Sequence, residues 1–307
     1  MNPIIVASDL ARWYGEVVAL SGLELEVGPG VTGLLGANGA GKSTLLKILT
    51  GSLRPNRGAV RILGQPVWDN PALWHRVGFC PESESVYEDW SVREFLRAMC
   101  GLNGVRGVEA SKRVEVALHL VGLEPVPTKS MAAFSKGMRQ RAKLAQALLF
   151  DPEVLLLDEP LNGMDPVGRA NTMDLVARLG QQGRTVLVSS HILPEVESMT
   201  RQVALLDRGK LVANGDVSEI RDLIEDRPQS VRLRCRDPHA LGARLIGLPD
   251  VEGVRFGSDP EVVVVETRKA ESFYALLTRL GAEPETGVIE LLPLDADLRS
   301  VYEYLIR

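Results

Sequence analysis

A short apolar run at residues 31–35 feeds directly into Gly36-Ala37-Asn38-Gly39-Ala40-Gly41-Lys42-Ser43-Thr44, and apolar residues resume at helical spacing through Leu49. That order reads as strand, glycine loop and helix, which only a few architectures accommodate. The glycines let the backbone turn tightly, so that successive N–H groups face the β- and γ-phosphates of a nucleotide, and the helix behind adds its positive end. Lys42 neutralises phosphate charge, and Ser43 offers a hydroxyl to Mg²⁺. A glycine turn that merely starts a helix is the bland alternative; every motif position being filled, between a strand and a helix, argues against it. Gly36, Asn38, Gly39, Ala40, Gly41, Lys42, Ser43 and Thr44 are the candidate nucleotide contacts.

A second apolar run, Val154-Leu155-Leu156-Leu157, ends in Asp158-Glu159-Pro160. Strand ends at the carboxyl edge of a parallel sheet are where ligands bind in open α/β folds. Asp158 is placed to hold Mg²⁺ through its water shell, since hard cations prefer oxygen ligands. Glu159 is placed to accept a proton from an attacking water. Alone, an Asp-Glu pair would read as two solvated carboxylates capping the next turn. The phosphate loop upstream makes that reading weak.

Strands are expected at residues 4–6 and 23–27, with Trp13, Tyr14 and Gly15 in the turn between them. Further strands are expected at 154–157 and 185–189, flanking a helix at 168–179, a βαβ arrangement that implies a parallel sheet. Residues 204–206 and 211–213, around Arg208-Gly209-Lys210, read as a closing hairpin. From about residue 84 to 150 the strand signal gives way to helical patterns at 91–100, 108–121 and 135–150, an inserted helical subdomain. A polar stretch at 222–230 reads as a linker. Beyond it the order is strand 231–235, helix 239–245, strand 254–256, strand 262–266, helix 270–280 and strand 288–292, the ferredoxin-like β-α-β-β-α-β pattern. A final helix is expected at 298–306. The domain expectation is therefore residues 1–220 and 221–307.

The 307 residues suit two domains, and a formal net charge of −5 argues against nucleic acid as the main partner. Cys80, Cys100 and Cys235 are far apart, without metal-ligand spacing, and fit buried packing in a reduced compartment. The amino terminus lacks the basic start and apolar run of a secretory signal. No stretch offers the ~20 uninterrupted apolar residues that a membrane helix needs.

Phe134-Ser135-Lys136-Gly137-Met138 resembles the signature sequence of ATP-binding cassette (ABC) ATPases, usually Leu-Ser-Gly-Gly-Gln. The resemblance runs from residue 4 to about 220, with six motifs in order. It implies an α/β P-loop NTPase cassette with an inserted helical subdomain, carrying here a small C-terminal ferredoxin-like α+β domain of the kind found on exporter-type subunits. In the family the signature binds the γ-phosphate of ATP held by the opposite subunit. The resemblance gives that role to Ser135 and Gly137; Lys136 and Met138 depart from the pattern. It also makes Tyr14 the aromatic that stacks on adenine, with Trp13 as a rival. Asn162-Gly163-Met164-Asp165 corresponds to a loop that meets the partner subunit, and His191 to the switch histidine at the γ-phosphate. Glu82 stands where the family has a glutamine that binds Mg²⁺ or the attacking water. A carboxylate accepts from metal-bound water but cannot donate, and it brings a full charge.

The resemblance further implies ATP and Mg²⁺ as cofactors, with Ser43, Glu82 and Asp158 toward the metal and Lys42, Glu159 and His191 in catalysis. It implies a head-to-tail homodimer and two copies of a separate permease, with residues 82–90 and the helices after them forming the permease groove. The chain would then sit in the cytoplasm, peripheral to the inner face of the membrane. The competing expectation is an ABC ATPase acting on ribosomes or DNA. Such proteins carry paired cassettes, long coiled coils or zinc sites, and this sequence shows none of them.

Overall fold

The computed structural model describes residues 2–83, 87–222, 228–257, 259–268, 270–281 and 287–294. The chain packs as two compact units, Met1–Val217 and Ser218–Arg307. In the first, β1 (Ile5–Tyr14) and β2 (Val17–Val27) form an antiparallel hairpin that turns at Gly15, where φ is 59°. Both strands are longer than the sequence suggests. Trp13 and Tyr14 lie within β1, opposite Val18 and Val17, and not in a turn. Register shifts between Ala7 and Leu10 and again near Arg12 break the period-two alternation that would have revealed the strand.

The chain continues through β3 (Gly30–Leu35), α1 (Lys42–Leu49), β4 (Arg57–Ile62), β5 (Gln65–Pro66), α2 (Pro71–Trp74) and β6 (Val77–Cys80). Three helices follow: α3 (Val92–Leu102), α4 (Gly107–Leu120) and α5 (Lys136–Leu148). Then come β7 (Val154–Leu157), α6 (Pro166–Gln181), β8 (Thr185–Ser190), α7 (Leu193–Glu197), β9 (Gln202–Asp207), β10 (Lys210–Asp216) and α8 (Val217–Asp222).

Two sheets result. One is antiparallel with order β2-β1-β4-β5; the other has order β10-β9-β3-β8-β7-β6 and is parallel except at the β10 edge. Side chains alternate across the larger sheet. Leu156 and Leu187 face α1 and the smaller sheet, packing with Leu34, Leu45, Leu46 and Leu49. Leu155, Leu157, Val186 and Val188 face the other way, into a core with α3, α4, α5 and α6. Burial on both faces explains why these strands read as unbroken apolar runs. The helices have local starts as well: Ser91 and Glu94 form a capping box on α3, and Ser135 caps α5 through Met138 N–H at 3.2 Å. Helix α5 lies so close to β6 that a Cβ on Gly78 would fall 2.2 Å from the Ala147 carbonyl oxygen.

The second unit begins within α8 at Ser218 and contains β11 (Gln229–Cys235), α9 (Pro238–Leu245), β12 (Val251–Phe256), β13 (Val262–Thr267), α10 (Ala270–Gly281) and β14 (Val288–Pro293). Its sheet order is β12-β13-β11-β14 with every neighbour antiparallel, the ferredoxin-like arrangement. Val231, Leu233, Cys235, Val263 and Val265 pack with Leu241, Leu245, Phe273 and Leu277. The alternate residues Arg232 and Arg234 pair instead with Glu290. The expected helix at 298–306 and most of the polar stretch at 222–230 lie outside the described residues. All three cysteines are buried and free of disulfides.

Candidate active site

The phosphate loop leaves β3 at Leu35 and enters α1 at Lys42. Gly36 and Gly41 are both needed for space: a Cβ would lie 2.4 Å from the Leu206 carbonyl oxygen at the first and 2.6 Å from that of Ala19 at the second. Gly41 also has φ of 110°. Because α1 begins here, the N–H groups of Lys42, Ser43 and Thr44 have no partner within the helix and point to one locus. Lys42 is 6% exposed; its ammonium donates to the carbonyls of Gly36 (2.7 Å) and Ala37 (3.3 Å) and stands 3.7 Å from Glu159 Oε1.

Both carboxylates follow directly on β7, beside the end of its neighbour β6. Cys80 is in register with Leu157, and the Asp158 N–H donates to the Cys80 carbonyl at 2.8 Å. Asp158 and Glu159 are 3% and 8% exposed, so each needs polar partners. Ser189 supplies two of them: its hydroxyl donates to Asp158 Oδ1 (2.7 Å) and accepts from the Glu159 N–H (2.9 Å). The Glu159 carbonyl accepts from Gln140 Nε2 at 3.3 Å. Glu159 has φ of 46°, a left-handed conformation that costs a non-glycine residue about 1–2 kcal/mol. These bonds hold it there, and strain of this kind concentrates at functional sites. His191 Nδ1 lies 3.0 Å from both carboxylate oxygens of Glu159. Its loop is fixed by the Ser190 hydroxyl, which donates to Glu195 (3.1 Å) and accepts from the Ile192 N–H (3.0 Å).

The structure therefore brings Lys42, Asp158, Glu159 and His191 together at the carboxyl edge of the sheet. Sequence reasoning missed Ser189 and Gln140. Replacing Ser189 by alanine would strand the buried Glu159 N–H and remove a donor from Asp158. The expected cost is about 1–3 kcal/mol, read by denaturant unfolding.

Glu82 is exposed and follows β6 at the same edge. The carbonyls of Pro81, Glu82 and Ser83 accept from Lys143 Nζ at 2.8, 3.1 and 2.7 Å. Burial pushes the Cys80 thiol up to about 12, opposed by Lys143 nearby, so Cys80 stays a neutral packing group. Ser43, Glu82 and Asp158 offer only oxygen donors, which fits Mg²⁺.

Ser135 and Gly137 open α5 against the segment after Glu159. A Cβ on Gly137 would lie 3.0 Å from Met164 Cα, and the Lys136 stem crosses Gly163. Ser135 and Asp165 are exposed. No hydrogen bond or ion pair joins Ser135 or Gly137 to the Lys42–Glu159–His191 group among the described residues. Tyr14 and Trp13 are both about half exposed, and the Arg12 guanidinium lies 4.8 Å from the centre of the Tyr14 ring. Their hairpin reaches the phosphate loop where β2 passes Gly41 at Ala19 and Leu20.

Residues 20–162 match the family model described as ABC transporter. An uncharacterized ABC transporter ATP-binding protein of Nostoc sp. is 41% identical over 227 residues, covering 71% of this chain and 68% of its own length. The daunorubicin resistance ATP-binding protein DrrA3 of Streptomyces coeruleorubidus is 34% identical over 297 residues, covering 95% of this chain and 93% of its own. A solved structure of an ATP-binding subunit of an ABC transporter superposes with a TM-score of 0.66 at 30% identity, covering 72% of this chain and 93% of that one.

Proposed function

We infer that this chain, which belongs to the ABC transporter family of ATP-binding proteins and is an ATPase, powers movement of a compound across a membrane by closing and reopening as a homodimer. The observation that carries the reading is the convergence of Lys42, Asp158, Glu159 and His191 beside the phosphate loop. The near full-length likeness to a protein named for daunorubicin resistance, C-terminal unit included, fits export better than uptake.

Residues 36–44 would hold the phosphates through N–H groups and the Lys42 ammonium, and Tyr14 would stack on the adenine. Mg²⁺, when bound, would be held by Ser43, by Asp158 through water and by Glu82, and would neutralise charge on the phosphates. Glu159 would take a proton from the attacking water while His191 holds its carboxylate and meets the γ-phosphate. Ser135 and Gly137 would complete the partner's pocket, since helix starts favour anions, and Asp165 would lie at the same interface. Residues 1–220 would carry this work and residues 221–307 an accessory role.

No helix among the described residues is long and apolar enough to cross a membrane, so the path for the compound would lie in permease subunits, two per dimer. Tyr87 and Trp90, stacked at 5.0 Å and exposed, offer an apolar footing for a permease helix. That contact would place the chain on the cytoplasmic side of the membrane. At low protein concentration the ATPase rate should rise with the square of concentration, because each pocket needs two chains. A linear dependence with full activity in a strictly monomeric sample would defeat the reading. For Glu82, replacement by glutamine should shift the Mg²⁺ titration of turnover several-fold; an untouched titration would leave it an ordinary loop residue.

A further inference from the structure

Lysine is among the residues least often buried, and its long stem usually carries the charge out to water. Lys143 does the opposite. It is 2% exposed, on the inner stripe of α5 with Gly137, Gln140, Leu144 and Ala147. Its ammonium has three protons, and three consecutive carbonyls, those of Pro81, Glu82 and Ser83, receive them within 3.1 Å. The backbone after β6 therefore curls around one charge borne by a different element.

Helix α5 is itself fastened to the sheet beside this point. Gly78 admits the Ala147 carbonyl, and Gln140 Nε2 reaches the Glu159 carbonyl at 3.3 Å and the Cys80 sulfur at 3.8 Å. The same helix starts at Ser135, about 12 Å along its axis from Lys143. A shift of the Ser135 turn is thus carried along α5 to the backbone of Glu82.

We propose that Lys143 is a positioning residue that ties the Pro81–Ser83 backbone to α5, so that the Glu82 side chain and the Ser135 turn move as one body. Lys143 need touch neither nucleotide nor metal to do this. The consequence for turnover rests on the reading of Glu82 as a metal-side residue; the tether itself does not.

The test uses the full chain carrying Lys143→Met, which keeps the stem and removes all three donors. The Glu82 carbonyl belongs to the bond that a glutamate-specific protease cuts, so cleavage between Glu82 and Ser83 reports directly on its release. Cleavage there should be about tenfold faster than in the parent chain, while cleavage after the exposed Glu16 is unchanged. The Mg²⁺ concentration for half-maximal turnover should rise about tenfold, as for loss of an outer partner of a metal ligand. ATP affinity measured without Mg²⁺ should stay the same. Unchanged cleavage at Glu82 overturns the tether. Faster cleavage with an unmoved Mg²⁺ titration upholds the tether and removes Glu82 from the metal side, which Glu82→Gln tests independently. Should Lys143→Met not accumulate as folded protein, Lys143→Gln, with two donors on a shorter stem, takes the same measurements.

Discussion

Glu159→Gln is expected to lower steady-state ATP hydrolysis by about 10²–10⁴, the range a positioned general base supplies. The substitution keeps the volume and one acceptor oxygen for His191 Nδ1, which lies 3.0 Å away, so the loop geometry should survive. What disappears is the ability to take a proton. A negative charge 3.7 Å from the Lys42 ammonium also disappears, which frees that cation for phosphate. ATP affinity should therefore hold or improve while turnover collapses, and ATP should accumulate a stable dimer. Light scattering with and without ATP reads the dimer, and phosphate release reads the chemistry. Turnover within a few-fold of the parent would remove Glu159 from the base role, whatever the state of the dimer.

The parts of this site that were legible in the sequence share one physical property. Leu155, Leu157, Val186 and Val188 are covered on one side of the sheet and Leu156 and Leu187 on the other, so the strands stand out as apolar runs. The residues that follow such runs, Asp158, Glu159 and His191, could be placed at the strand ends without coordinates. In the C-terminal unit the alternation of Val231, Leu233 and Cys235 with arginines made the strand equally plain. The β1–β2 hairpin was different. Its bulges break the alternation, and pairing from Trp13–Val18 back to Ile5–Val27 depends on long-range register that no local window contains. Strand β6 is four residues long and includes Gly78, chosen for the approach of Ala147 and not for strand propensity.

The supporting residues were harder to find, for a further reason. Ser189 differs from its neighbour Ser190 only in which side of β8 it faces, and its task depends on the left-handed turn at Glu159. A serine pair carries no sign of that. Gln140 and Lys143 did leave a trace: both fall on the apolar stripe of α5, where a polar residue demands a buried partner. Helical spacing exposes the anomaly, but only the structure names the partners as Glu159 and the backbone of Glu82.

Lys42→Ala should produce the complementary defect, weakening nucleotide binding itself by about 10²-fold. Hydrogen bonds from a charged donor contribute about 1.5–3 kcal/mol each, and 2.7 kcal/mol is roughly a hundredfold in affinity. Two properties of the site push the loss toward the upper end. The ammonium is 6% exposed and already desolvated, so its attraction for phosphate is poorly screened by water. It also stands 3.7 Å from the Glu159 carboxylate, and its removal leaves that negative charge facing the phosphates. Lys42→Arg should not rescue binding, because a planar guanidinium does not fit where one ammonium lies against the Gly36 and Ala37 carbonyls. Equilibrium titration with a fluorescent ATP analogue measures the effect directly. Combining the two changes separates binding from chemistry. Lys42→Ala with Glu159→Gln should fail to trap the dimer at ATP concentrations that saturate Glu159→Gln alone, because closure depends on nucleotide that the first change no longer retains. A double variant that still closes at the same ATP concentration would show that the loop amides, without the lysine, supply the binding energy for dimerisation.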